Sequence, residues 1–283
     1  MLLFSMIVLD VFYTVIYLKN DSRNKVFNIF NSGPKKYDVL ILGSSRAENH
    51  LVSSVFYDNG YTVFNYGMSG SRLAESNLLL NLMLERNYKI KTLIVETDLN
   101  INSDGYSEGT RACFMPYIHQ SKTIRDFYKN IPDYTKVVYI PFYRYIKYES
   151  KIGFREMLFS ALHKKSNCLE NQGFYPLLHD ARPLVAKNLS NYVPHKNKSL
   201  DNIKEICKKN NIQLLLITTP ICNNTINREY FNHIKEIYPE IRRFENAVTD
   251  DKYFSTCGHM NQQGAIKFTE IVFNAFFKPK NKT

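Results

Sequence analysis

The strongest constraint on the fold is a series of short apolar runs, each of which stops at a glycine, a proline or a polar residue. A run of this kind is typical of a strand that is buried on both faces of a parallel sheet. Four such runs lie at 37–42, 62–66, 91–96 and 212–218, and a fifth strand is predicted at 241–244. The chain therefore favours a sheet whose strands are mostly parallel.

Segments with apolar residues at helical spacing separate or follow these runs, at 73–84, 200–210 and 264–277. Strands that alternate with helices predict the α/β class, because each crossover helix covers one face of a parallel sheet. The predicted fold is a three-layer α/β/α arrangement around a parallel, flavodoxin-like sheet. In such a sheet, ligands bind beyond the carboxyl ends of the strands.

Residues 104–200 interrupt the alternation and are rich in Tyr, Phe, Lys and Arg. We therefore predict a mostly helical insertion, and we expect it to form one wall of the ligand site beyond the strand ends. Basic and aromatic residues interleave within it at Lys136, Tyr139, Tyr143, Arg144, Tyr145, Lys147 and Tyr148. Stacking platforms for nucleic acid have this composition, but amphipathic helices have it too. We favour the helices and expect no nucleic-acid partner.

The first 18 residues form an apolar segment interrupted by Asp10. As a helix it would span ~27 Å, close to the ~30 Å hydrocarbon core of a bilayer. We predict a membrane anchor at 1–18, a linker at 19–36 and a single domain at 37–283. The alternative is a buried amino-terminal helix of a soluble protein.

The composition excludes a disordered chain and gives no sign of a metal site. Of the 283 residues, 44% are hydrophobic and 22% are charged, which is typical of globular proteins. The five cysteines form no CxxC pair and no zinc-like cluster with histidine, and a disulfide is possible without being indicated. The formal charge of +11 is compatible with a polyanionic partner or with a basic solvated surface.

Polar residues suited to catalysis follow the predicted strands. Gly43-Ser44-Ser45-Arg46 follows the first strand, Gly67 and Gly70 follow the second, and Asn100 follows the third. His259 lies in Gly258-His-Met-Asn-Gln-Gln-Gly-Ala265, just before the last helix. Each fragment alone is also typical of a turn, a helix cap or a structural histidine.

Together, the order of serine, glycine, asparagine and histidine resembles the SGNH (GDSL-like) hydrolase superfamily over about 37–103 and 201–277, most specifically in GSSRAE and GHMNQQGA. The resemblance implies that Ser45 is the nucleophile and His259 its general base. It also implies an oxyanion hole built from the Gly70 N–H, the Asn100 amide and the N–H of Ser45. No metal or organic cofactor is implied.

The resemblance implies acyl transfer through a covalent acyl-enzyme. We predict an esterase or O-acyltransferase that acts on ester groups, O-acetyl groups above all, of cell-envelope carbohydrate. The alternative is a catalytically inactive envelope protein that keeps the fold and binds glycan. Relatives that modify surface glycans favour a membrane-anchored domain in the periplasm or outside the cell, although Lys19, Arg23 and Lys25 after the anchor favour the cytoplasm.

Two positions depart from the family pattern. Ser44 stands where the family has aspartate, and Thr256 stands three residues before His259, where family members carry the orienting acid. Three possibilities follow: Asp250 or Asp251 substitutes, Thr256 or a backbone carbonyl suffices in a Ser–His dyad, or the site is inactive. We favour the dyad.

Overall fold

The computed structural model describes residues 1–179 and 183–278. Its strands are β1 Lys36–Leu42, β2 Val63–Asn65, β3 Lys89–Glu96, β4 Gln213–Ile217, β5 Phe254–Thr256 and β6 His259–Met260. Its α-helices are α1 Leu2–Leu18, α2 Lys25–Asn31, α3 Ser45–His50, α4 Ser53–Tyr57, α5 Leu73–Glu85, α6 Glu108–Arg111, α7 Lys122–Tyr128, α8 Tyr134–Tyr139, α9 Tyr143–Lys147, α10 Glu149–Ile152, α11 Phe154–Ala161, α12 Lys198–Lys209, α13 Tyr230–Ile237 and α14 Gln262–Phe276. Short 3-10 helices lie at Ala112–Tyr117, Asn167–Leu169, Asn171–Gly173 and Asp251–Tyr253.

The first four strands form a parallel sheet in the order β2-β1-β3-β4. Leu40 of β1 pairs with Leu93 of β3, which pairs in turn with Leu214 of β4. The prediction of an α/β fold with a parallel sheet is confirmed. β5 and β6 form a separate antiparallel pair just before α14.

Alternate residues of β1 face opposite sides of the sheet, which creates three layers. Leu40 and Leu42 lie in a core shared with α2, α5, α12 and α13, whereas Val39 and Ile41 lie in a core shared with α3 and α14. All four side chains are fully buried. Burial on both faces explains why these strands are continuous apolar runs in the sequence.

The predicted fifth strand at 241–244 does not form. Arg242 makes one isolated parallel bridge with Ile217. Two residues later, the N–H of Phe244 donates to the Thr218 hydroxyl, 2.7 Å away. The Thr218 side chain therefore accepts the hydrogen bond that a backbone carbonyl would accept in a continued strand. The pairing with β4 ends after the bridge at Arg242.

The amino-terminal segment is fastened to the rest of the chain. Side chains of the second half of α1 are buried at Tyr13, Thr14 and Tyr17, and Asp10 pairs with Arg144 at 2.7 Å. The first half of the helix is mostly exposed. No helix within 1–179 and 183–278 has the length and apolar character required to cross a bilayer.

The segment at 19–36, which the sequence predicted to be a linker, contains the helix α2. Val26, Phe27 and Ile29 are fully buried. Asn24 begins this helix by accepting a hydrogen bond from the Phe27 N–H, the usual role of an asparagine cap.

The region predicted as a mostly helical insertion has two parts. Helices α6 to α11 occupy 108–161, and the described residues from 162 to 197 are mostly irregular apart from two short 3-10 helices. Arg144, Tyr145 and Tyr148 are buried, so these three residues do not present a stacking surface.

Candidate active site

The turn after β1 places Ser45 at the start of a helix. Gly43 has φ +148°, and a Cβ at this position would lie 2.8 Å from the side chains of Ala47 and Glu96. Ser44 caps α3 by accepting a hydrogen bond from the Arg46 N–H. Ser45 is therefore the first residue of α3, where backbone N–H groups have no partner inside the helix and can face a ligand.

His259 reaches this serine from the β5–β6 pair. Its Nε2 lies 2.8 Å from Ser45 Oγ, so the two side chains have the hydrogen-bond geometry that the sequence predicted. Asn261 caps the following helix α14 by accepting a hydrogen bond from the Gly264 N–H, which fixes the chain just after the histidine. The catalytic roles of the two residues stay predictions.

The second ring nitrogen of His259 faces Thr256. Thr256 pairs with His259 across β5 and β6, and its Oγ1 lies 3.4 Å from Nδ1. In the predicted reaction Nε2 accepts the serine proton, and this role requires Nδ1 to carry the ring hydrogen and point it at the threonine hydroxyl. A neutral hydroxyl thus occupies the position of the orienting acid, as in the favoured dyad.

The predicted oxyanion donors lie on loops after β2 and β3. Gly70 is exposed with φ +78°, and its N–H makes no hydrogen bond to the described part of the chain. The neighbouring Ser69 donates to Glu48 from its N–H at 3.0 Å, and Glu48 accepts from the buried Lys25 ammonium at 2.9 Å. The segment predicted as a linker therefore supports the Gly70 loop.

Asn100 is connected to the turn before Ser45 through Glu96, the last residue of β3. The Glu96 carboxylate accepts hydrogen bonds from the Ser44 N–H at 2.9 Å and the Ser44 hydroxyl at 2.7 Å. The Asn100 amide lies 3.4 Å from the same carboxylate oxygen. Glu96 thus connects the turn that carries Ser45 with the amide that we predict to face an oxyanion.

Arg46 and Asp98 form a buried ion pair that the sequence analysis missed. Arg46 Nε lies 2.6 Å from Asp98 Oδ2, and both side chains are almost fully buried. The guanidinium also donates to the carbonyl oxygens of Gly258, Thr219 and Pro220 at 2.8, 3.0 and 2.9 Å. Because Gly258 precedes His259, this arginine connects the helix that begins at Ser45 to the loop that carries His259.

His50 and a disulfide also hold the loop that carries His259. The Met260 N–H donates to His50 Nε2 at 3.1 Å, so Nδ1 of His50 carries the hydrogen and donates to Thr219 Oγ1 at 3.1 Å. A disulfide joins Cys222, in the loop after β4, to Cys257, two residues before His259. The cysteine spacing did not indicate this bond.

The surroundings of His259 favour its neutral form. Burial above all, together with the positive charges of Arg46 and Lys187, lowers the pKa of His259 to about 4. Burial also lowers the pKa of His50, with Arg46 and His259 as smaller causes. A neutral imidazole is the form that can accept the Ser45 proton.

We expect the acid limb of kcat/KM for an ester substrate to have its midpoint near pH 4. The reason is that His259 stays neutral down to its lowered pKa of about 4. Activity per folded molecule should be constant between about pH 5.5 and pH 7.5, whereas an ordinary histidine would lose activity below about pH 6.5. A midpoint between pH 6 and 7 would contradict this account.

The folded fraction must be measured alongside, for example by circular dichroism. His50 and His259 take up protons in the unfolded chain at a higher pH than in the folded chain. The free energy of unfolding therefore falls as the pH drops below about 6.5.

Thr256→Asp provides the matched comparison. A carboxylate near Nδ1 would stabilise the imidazolium, so the acid limb should move to higher pH and kcat/KM at pH 8 should rise about tenfold or more. Thr256→Asn, which adds no charge, should leave the limb in place.

Comparisons with known proteins give few matches. No family model matches the chain, and no curated protein matches it. One solved structure that aligns with this chain is that of a "putative platelet activating factor" from Streptococcus pneumoniae. It is 10% identical, with a TM-score of 0.41, over 86% of this chain and 85% of that one.

Proposed function

We propose that this chain is a serine-dependent ester hydrolase or acyltransferase of the SGNH type. The observation that carries the proposal is the 2.8 Å contact between Ser45 Oγ and His259 Nε2. The lowered pKa of His259 supports it, because the imidazole is free to act as a base at neutral pH. The Gly70 N–H supports it as well, because it makes no hydrogen bond within the described residues and an oxyanion requires an open donor.

In the proposed reaction, Ser45 Oγ attacks the carbonyl carbon of an ester while its proton moves to His259 Nε2. The tetrahedral oxyanion accepts hydrogen bonds from the N–H groups of Ser45 and Gly70 and from the Asn100 amide. One such donor is worth about 3–4 kcal/mol in a serine protease. The imidazolium then protonates the leaving alkoxide, and an acyl-Ser45 ester remains.

A second nucleophile completes the reaction. His259 removes a proton from water or from an acceptor hydroxyl, whose oxygen attacks the acyl carbon and forms a second oxyanion. The oxyanion collapses as the bond between the acyl carbon and Ser45 Oγ breaks, and the imidazolium returns the proton to Ser45 Oγ. Water makes the chain an esterase, and a carbohydrate hydroxyl makes it an O-acyltransferase. We propose O-acyl groups, acetyl above all, on carbohydrate of the cell envelope as the substrate class.

An ester panel tests this function. Purified protein should hydrolyse small acetate esters at pH 7, and acetylated glycans should be better substrates than simple esters. Transfer to a sugar acceptor is measured in the same assay from the acetylated product. Folded protein that turns over neither class would favour the alternative, an inactive SGNH-fold envelope protein that binds glycan.

We also propose that α1 attaches the chain to a membrane with the domain in the periplasm or outside the cell. The helix exposes large apolar side chains at Leu2, Leu3, Phe4, Ile7, Val8, Leu9, Val11, Phe12 and Val15. The second half of α1 packs against the rest of the domain, and the exposed apolar side chains of the helix are suited to insertion among lipid chains.

We expect Phe4→Asp combined with Val8→Asp to release the full-length chain from membranes in an alkaline carbonate wash that leaves the unaltered chain bound. A matched control is Tyr57→Asp, which changes an exposed aromatic residue on α4. Equal extraction of all three proteins would contradict attachment through α1. Protection from added protease in spheroplasts, whose outer barrier has been removed while the inner membrane is intact, would contradict the proposed orientation.

A further inference from the structure

Lys187 brings an ammonium group to the edge of the candidate active site. Its Nζ lies 3.5 Å from the position that a Cβ on Gly258 would occupy. On its other side, the ammonium lies 5.7 Å from the ring centroid of Tyr192. Since Gly258 directly precedes His259, the lysine stands beside the proposed general base.

This ammonium makes neither a hydrogen bond nor an ion pair with any group among residues 1–179 and 183–278, although the carboxylates of Asp98 and Glu96, which do not contact it, act on it electrostatically. Lys187 is nevertheless only partly exposed. By contrast, Arg46, Arg111 and Arg144 each contact a carboxylate, those of Asp98, Asp133 and Asp10. A cation that is partly removed from water without an anion is unfavourable.

The same charge also opposes the proposed chemistry. His259 is surrounded by the Ser45 and Thr256 hydroxyls, the His50 ring at 5.9 Å, and the cations of Arg46 and Lys187. An imidazolium forming there would be repelled by both cations. Arg46 is paired directly with Asp98, whereas Lys187 has no carboxylate in direct contact within the described part of the chain.

We propose that Lys187 binds an anionic group, a carboxylate carried by the substrate close to the ester that Ser45 attacks. This deepens the proposed function and rests on it, because the anion is assigned to the substrate of the same site. Binding would neutralise Lys187 in the presence of substrate and leave the imidazolium beside one paired cation.

The surroundings of Tyr192 fit an acidic sugar as the carrier of that carboxylate. Tyr192 also lines a cavity of about 530 Å³, together with Asn227, Glu229, Tyr230 and His233. An aromatic ring beside hydroxyl, amide, imidazole and carboxylate groups can hold a sugar ring through its apolar face and its hydroxyls. The carboxylate of the sugar would then lie at Lys187 and away from Glu229 and Glu236. The proposed substrate class is therefore an O-acylated carbohydrate that carries a carboxylate.

A pair of esters that differ in one charge tests the proposal. The probes are 4-acetoxybenzoate and its neutral methyl ester. The measured quantity is kcat/KM for the anionic ester divided by kcat/KM for the neutral ester, at pH 7. Lys187→Met should lower this ratio about tenfold, mainly through KM for the anionic ester, while Lys187→Arg should restore it. The control Lys196→Met, at an exposed lysine of the same loop, should leave the ratio unchanged.

A second measurement does not depend on turnover. The pKa of His259 is measured by NMR with and without benzenesulfonate, an anion that stays ionised throughout the titration. The anion should raise the pKa of His259 in the unaltered chain. Lys187→Met alone should raise it too, and the anion should then have no further effect.

The outcomes separate the two proposals. A chain that hydrolyses both esters but keeps its ratio in Lys187→Met overturns the Lys187 proposal and leaves the hydrolase standing. A chain that hydrolyses neither ester overturns the proposed function, and the NMR titration then tests anion binding by itself. A His259 pKa that does not respond to benzenesulfonate overturns the Lys187 proposal in either case.

Discussion

Replacing Ser45 with alanine is expected to lower kcat/KM for an acetate ester by a factor on the order of 10⁴ to 10⁶. The variant keeps the oxyanion donors but has no atom that can form the acyl-enzyme. His259→Gln should cause a loss of similar size, because the glutamine amide cannot take the serine proton. The two losses should not add in the double variant, since the residues act as one unit.

The control for the serine is Ser54→Ala, which removes an exposed hydroxyl from α4. It should leave kcat/KM unchanged. All variants should keep the thermal midpoint of the unaltered chain within a few degrees, because Ser45→Ala removes one hydrogen bond and His259→Gln at most two. Retention of more than a tenth of the activity in Ser45→Ala would show that another nucleophile acts.

Replacing Arg46 with methionine is expected to lower the free energy of unfolding by about 3–5 kcal/mol, the usual result of leaving one half of a buried ion pair unpaired. Asp98 is fully buried and would lose its guanidinium partner. The Gly258 carbonyl would also lose its donor, so His259 would be less well held and kcat should fall. Urea denaturation and initial rates measure the two effects.

A double variant separates charge from position. Asp98→Asn in the Arg46→Met background removes the uncompensated carboxylate, so it should recover part of the lost stability. It should not recover kcat, because the bond to the Gly258 carbonyl is still absent. A loss below about 1 kcal/mol in Arg46→Met would contradict the role given to this ion pair.

The sheet could be predicted because its signal is local. Buried parallel strands require apolar residues on both faces, and β1 and β3 therefore stand out as continuous runs that end near Gly43 and Glu96. The isolated bridge at Arg242 could not be predicted in this way. Its short extent depends on the Thr218 hydroxyl, which comes from a distant part of the chain.

The linker prediction differed from the structure for a related reason. The polar residues around α2 resemble a loop, and the burial of Lys25 becomes favourable only beside the distant Glu48. A local pattern contains no information about that partner.

The proximity of Ser45 and His259 could be predicted from their order along the chain, because strand ends and the start of the last helix meet at one edge of the sheet. The supporting groups could not. Arg46, Asp98 and Glu96 are charged residues next to strand ends, and that position was the available signal for them. Their partners come from loops 50 to more than 200 residues away.

The most direct test of a nucleophilic Ser45 is labelling with a fluorophosphonate, which reacts with activated serines and requires no knowledge of the natural substrate. We expect one covalent adduct per folded chain, located at Ser45 by peptide mass spectrometry. The adduct should be absent from Ser45→Ala and strongly reduced in His259→Gln. A folded chain that stays unlabelled, or that is labelled equally in Ser45→Ala, would contradict the account.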